Sequence, residues 1–193
     1  MDLEDLTRAQ DATATLLADF DTPDWERPSP CTDWDVEAVV RHLVVGERHF
    51  AESLRGTAGD AAELTAQVGE VPNADLPAAY AESSARLREA LAAADPAATY
   101  PTGLGPVPPA VVLQLRTVEA IVHGWDAGRG VGRLLPVDDD VAERALDSSR
   151  ALLEQVPPER SPFAPSVAVP DDATPLQRLV GLLGRDPFGS ISG

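Results

Sequence analysis

Apolar residues recur along this chain at helical spacing and are interrupted at intervals by proline, glycine and aspartate. Leu3, Leu6, Ala9, Leu16, Leu17 and Phe20 share one face, which predicts a half-buried helix from Leu3 to Phe20. Thr13 interrupts that stripe, and the Asp21-Thr22-Pro23-Asp24 cluster ends it. A proline-rich approach, WERPSPCTDWD, leads into a second helix over about Trp34 to Leu54, with Thr32 and Asp35 spaced as an approximate capping box. Residues 56–74 are rich in Gly, Ala and Asp and predict a long connection with one loose turn at AAELTAQ. A third helix is expected over Leu76–Ala94, with Ala79, Leu87, Ala90 and Leu91 inward and Pro96 as its stop. The segment YPTGLGPVPP cannot be helical, because proline lacks an amide hydrogen and constrains its neighbour. Pro109 suits a first helical turn, and a fourth helix runs from it through AVVLQLRTVEAIVHGWDAGRG into glycines. Asp138–Val156 predicts a fifth helix, PPERSPFAPSVAVPDDATP an extended crossing, and LQRLVGLLGR a short closing helix. Four long helices with a C-terminal strap, in one domain over 1–193, is the architecture expected.

Composition supports helices over sheets. Hydrophobic residues are 44% and aromatics only 5%, with abundant alanine, the best helix former and a poor strand residue. The formal charge is −17, and all 15 basic residues are arginine. Such a surface disfavours nucleic acid and anionic membranes, both of which need clustered cations. No apolar run approaches the roughly 20 residues needed to span a bilayer. The acidic start MDLEDLTRAQ lacks the basic and apolar stretches of a signal peptide, and Cys31 is the single cysteine. A soluble, cytoplasmic protein is therefore expected.

Three histidines, His42, His49 and His123, carry the candidate chemistry. Glu119 and His123 are four apart on one helix face, among Val118, Ala120, Ile121 and Val122. Burying a carboxylate beside an imidazole is costly unless something satisfies both, and a divalent metal ion does so. An isolated E-x-x-x-H also fits a buried Glu–His hydrogen bond or a solvated stripe. His42, in VVRHLVV on a different apolar helix, alone also fits a hydrogen-bonded core residue, but with the pair it brings the metal reading level, since bundles build such sites from facing helices. His49 follows His42 by seven residues, about 10 Å along the axis, so both do not serve one ion. Glu47, Arg48 and Glu52 give His49 the wetter surroundings, so His42 is assigned as ligand and His49 as a surface or site-rim residue. Three protein donors leave an open coordination position, the pattern of a catalytic zinc site. Arg116 shares the Glu119/His123 face and could meet an anionic substrate, or be a surface arginine paired with a carboxylate. Asp126 could orient a ligand from behind, or be a polar residue of the last turn. Cys31 could ligate a metal, but a single thiol in an entry loop is read as packing.

The blocks SPCTDWDVEAVVRHLVVGERHF, TVEAIVHGWDAGRG and DDATPLQRLVGLLGRDP, in that order, resemble the small DinB-like metal-binding proteins related to the N-terminal domain of mycothiol-dependent maleylpyruvate isomerase. The resemblance covers nearly the whole chain. It implies a DinB/YfiT-like four-helix bundle, here with additional C-terminal helices and the Pro-rich strap. It also implies a divalent metal, zinc first and nickel second, held by His42, Glu119 and His123. Glutamate at the first position of the pair follows the isomerase branch. The isomerase is expected to carry a sterol-carrier-like C-terminal domain that supplies part of its active site, and 193 residues leave no room for one. That counts against isomerase activity on maleylpyruvate more than against metal binding. Three functions follow: a metal-dependent enzyme using a small thiol such as mycothiol, a non-catalytic metal-binding or sensing protein in which a homodimer is conceivable, and a bundle without metal.

Overall fold

The structure is a computed structural model that describes residues 1–102, 105–154 and 163–189. Its elements are α1 (Leu3–Leu17), α2 (Val36–Leu54), α3 (Ala61–Gly69), α4 (Leu76–Ala93), α5 (Pro109–Gly130), α6 (Asp139–Leu153) and α7 (Pro175–Leu182). Among the described residues there is no strand; only two isolated bridges, Pro28 with Asp35 and Tyr100 with Val107, pair extended backbone. Helices α1, α2, α4 and α5 form the bundle: α2 packs on α4 and α5, and α1 packs on α5 and α4. Helix α7 packs on α6, which in turn lies against α5 and α1. The fold is therefore the all-helical bundle expected.

Helix α5 is the central element. Every residue from Ala120 to Gly128 is buried, so His123 and Asp126 are polar groups inside the bundle rather than part of a solvated stripe. Ile121, Trp125, Leu146 and Leu179 join one apolar cluster between α1, α5, α6 and α7. Leu43, Val44, Leu76 and Tyr80 form a second between α2 and α4. Two close approaches need glycine. A Cβ on Gly124 would collide with the Thr13 hydroxyl, which donates to Ala120 O at 2.8 Å. A Cβ on Gly46 would fall 2.5 Å from Arg116 Nη1. The polar break at Thr13 is thus a buried hydrogen bond joining α1 to α5.

The structure corrects several boundaries. Helix α1 ends at Leu17, and Phe20 turns edge-on to Trp25 at 5.5 Å between ring centroids. Asp35, not Thr32, caps α2, accepting from the Ala38 amide at 2.8 Å, so the helix begins at Val36 rather than Trp34. The connection predicted over 56–74 contains α3, a full helix capped by Asp60 and held by the buried Leu64 and Val68. With only Leu64 and Val68 of its nine residues buried, its apolar stripe was too sparse to announce it. Helix α6 ends at Leu153, and the expected extension to Val156 lies outside the described residues.

Asp5 ties α1 to α6, accepting from Arg144 Nε at 2.9 Å. Burial pushes the Asp5 carboxyl up, but the bond from Arg144 and another from a backbone amide outweigh it and hold the pKa below its ordinary value. Asp5 gives up its proton more readily folded than unfolded, so its charged form favours folding. The stability gap between the wild type and Asp5→Asn is expected to be about 1 kcal/mol at pH 7. By denaturant titration it should hold to about pH 5, then shrink as pH falls through about 4.

Candidate metal centre

Helices α2 and α5 bring His42, Glu119 and His123 together. His42 Nε2 lies 3.0 Å from Glu119 Oε2, and His123 Nε2 lies 3.4 Å from the same oxygen. One donor atom from each of the three falls within 4.8 Å of the others. Two donors each about 2.1 Å from a tetrahedral ion stand about 3.4 Å apart, so this donor set has the size and chemistry for one divalent ion. The His42 side chain is 40% exposed and His123 only 10%, so the centre opens to solvent on the α2 side. Trp34, in the loop before α2, lies tilted against both imidazoles, with ring centroids 4.8 Å from His42 and 5.9 Å from His123.

A polar support stands behind His123. Its Nδ1 meets Asp126 Oδ2 at 3.0 Å, which leaves Nε2 directed at Glu119. Asp126 is fully buried and receives Arg185 Nη2 at 2.9 Å, from the segment after α7. This order, ligand then carboxylate then guanidinium, fixes an imidazole as metal sites require. Burial disfavours the imidazolium, but the bonds to Asp126 and Glu119 prevail and raise the His123 pKa to about 9. Burial also works against the Glu119 carboxylate, yet His123, His42 and the Arg116 charge hold its pKa well below the ordinary range. Glu119 is thus clamped between the rings of His42 and His123.

A second line of polar groups crosses the bundle to the far side of Glu119, one link from each helix. Arg88 of α4 donates to Gln10 Oε1 at 2.8 Å, and Gln10 of α1 donates to Glu47 Oε1 at 3.0 Å. Glu47 of α2 faces Arg116 at 3.6 Å, and Arg116 of α5 faces Glu119 at 3.7 Å. Arg116 is 3% exposed, which corrects the surface alternative; the carboxylate pairing holds, with two partners. Glu47 is wholly buried rather than part of a wet His49 neighbourhood. Burial pushes the Glu47 carboxyl above its ordinary range despite the Arg116 charge beside it.

His49 stays outside the centre, with its ring against Phe50 at 5.5 Å. Cys31 could form an alternative ion group with His123 and Asp126. Its thiol is pushed up by burial and by the Asp126 charge, and Arg185 already compensates Asp126. That group therefore suits an ion less well.

Sequence reasoning missed Arg185, Trp34, Glu47 and Gln10. Glu47 and Gln10 had a signal, because they occupy inward positions of the stripes Val40-Leu43-Val44-Glu47-Ala51 and Leu6-Ala9-Gln10-Thr13-Leu17. Arg185 had none.

Fold and site together define a helical bundle whose three convergent donors lie on two adjacent helices. Residues 6–128 match the family described as the mycothiol maleylpyruvate isomerase N-terminal domain, and the chain belongs to that family. Two uncharacterized proteins of Mycobacterium tuberculosis, from two strains, are each 32% identical over 180 residues, covering 92% of this chain and 94% of theirs. The crystal structure of the mycothiol-dependent maleylpyruvate isomerase has the same fold, with a TM-score of 0.54 at 20% identity over 76% of this chain and 68% of that one. A mutant of that enzyme matches equally. No described helix is long and apolar enough to cross a membrane.

Proposed function

We propose that this protein is a metal-dependent enzyme that activates a low-molecular-weight thiol, of the mycothiol type, against an electrophilic substrate. The chain would act as a single helical domain, with His42, Glu119 and His123 holding a divalent ion, zinc before nickel. The observation that carries this is the convergence of two imidazole nitrogens on one carboxylate oxygen, 3.0 and 3.4 Å away, at a face open to solvent. Membership in the mycothiol maleylpyruvate isomerase N-terminal family supports a thiol as co-substrate. The ion would supply positive charge that lowers the pKa of a thiol brought to the open position.

The chain's own groups do the rest. Asp126 holds the His123 ring so that Nε2 faces the ion position, and Arg185 pairs with Asp126 from the other side at 2.9 Å. Arg116 holds Glu119 from behind. Trp34 packs its ring against His42 and helps hold that imidazole in place.

Metal analysis of protein purified without chelator and supplemented with zinc tests this. About one ion per chain is expected, together with metal-dependent consumption of mycothiol in the presence of an electrophile. An ion without thiol turnover would leave the non-catalytic metal-binding role, and less than about 0.1 ion per chain would end both.

A further inference from the structure

A second donor set lies beside the first and shares His123 with it. Cys31, His123 and Asp126 each bring one donor atom within 4.8 Å of the others. Thiolate, imidazole and carboxylate are all zinc donors, and the thiolate is the softest of them. Arg185 stands between this set and an ion.

The end of α7 delivers that side chain. Gly184 is left-handed, with φ +86°; its amide donates to Gly181 O at 3.1 Å and the Arg185 amide donates to Val180 O at 2.9 Å, the paired bonds of a glycine-terminated helix. A Cβ on Gly184 would fall 2.8 Å from Ala164 O, so the turn needs glycine. The Arg185 guanidinium then donates from Nη1 to Leu183 O at 2.9 Å, from Nη2 to Asp126 Oδ2 at 2.9 Å and from Nε to Asp126 Oδ1 at 3.3 Å. Both oxygens of Asp126 are engaged, and Nη2 also lies 4.0 Å from Cys31 Sγ. An ion on Asp126 Oδ2 would stand at most about 5 Å from Nη2, where like charges repel. Arg116 opposes an ion on Glu119 less, because it stays 3.7 Å from that carboxylate and pairs with Glu47 as well.

We infer that Arg185 is a selectivity residue, which bars an ion from the Cys31, His123 and Asp126 set by holding Asp126 and so leaves His123 to the set with His42 and Glu119. This deepens the function proposed above and rests on its ion site. A coordination position meant for an external thiol stays open only if the chain's own thiol is kept from the ion. Ligation by Cys31 would require its proton to pass to solvent, and with Arg185 gone Asp126 would supply the free carboxylate beside it. Arg185 lies beyond residues 6–128, the part of the chain that matches the family.

Cobalt(II) titrations of the full chain test the inference, because a thiolate ligand gives cobalt an intense near-ultraviolet charge-transfer band that imidazole and carboxylate ligands do not. Cobalt-loaded wild type is expected to lack the band, and Cys31→Ser to leave its spectrum unchanged. Arg185→Leu should show the band, keep it when His42→Ala is added and lose it when Cys31→Ser is added. Arg185→Lys, which retains the charge, should remain without it. Should Arg185→Leu not fold, Arg185→Gln removes the charge but keeps a donor for Asp126, and it carries the same expectation. A band in the wild type, or no band in the folded variants that lack the charge, would overturn the inference. Wild-type cobalt uptake that His42→Ala weakens by more than about ten-fold supports the centre itself, so a missing band in Arg185→Leu then rejects the role of Arg185 alone. A band in Arg185→Leu without uptake by the wild type rejects the His42 centre alone and upholds Arg185 as the bar to Cys31.

Discussion

Glu47→Ala is expected to destabilise the protein by about 3–5 kcal/mol, the cost of breaking a buried ion pair from one side. Arg116 would keep its charge at 3% exposure with only the more distant Glu119 carboxylate, and the Gln10 amide would lose its acceptor. For a chain of this length the loss corresponds to about 6–20 °C in melting temperature. Denaturant unfolding of Glu47→Ala, Glu47→Gln and the double variant Glu47→Leu/Arg116→Leu separates the contributions. The glutamine retains volume and an acceptor for Gln10, so it should lose less. The double variant should recover much of the loss, because no charge stays stranded. A Glu47→Ala loss below about 1 kcal/mol, the level of an exposed pair, would show that the network does not hold the bundle together.

The same network explains which parts of the fold were legible in the sequence. Helices α2, α4, α5 and α6 were readable because their apolar stripes are dense and bounded by proline, aspartate or glycine. Helix α3 was not, because only Leu64 and Val68 of its nine residues are buried. At the site, His42, Glu119 and His123 were legible because each is a polar break in an apolar helix. Glu47 and Gln10 broke the pattern in the same way, but Glu47 was read as part of a wet His49 neighbourhood and Gln10 was passed over, since glutamate and glutamine are usually solvated. Their burial becomes affordable only when all four helices bring partners to one line, which is a property of the tertiary packing. Arg185 reaches Asp126 across 59 residues of sequence, and neither local pattern nor spacing encodes such a meeting.

His123→Ala should lower zinc affinity by more than 100-fold, measured by competition against a chelator of known affinity. The bound is set by the weaker change: Asp126→Asn disturbs only the support of the His123 ring, and such changes typically cost about 10–100-fold. Removing the donor nitrogen must exceed that. His123 is common to both ion groups, so its loss alone does not locate the ion. His42→Ala and Cys31→Ser do, because each belongs to one group only. An ion between α2 and α5 predicts a large loss for His42→Ala and near wild-type affinity for Cys31→Ser and His49→Ala. The reverse pattern would place the ion against Asp126, where it must compete with the Arg185 guanidinium 2.9 Å away for the same carboxylate. Metal-linked stabilisation follows the same logic, since an ion that binds only the folded chain stabilises it by RT ln(1 + c/Kd) at free ion concentration c. The zinc-dependent rise in melting temperature should therefore vanish in His42→Ala and persist in Cys31→Ser.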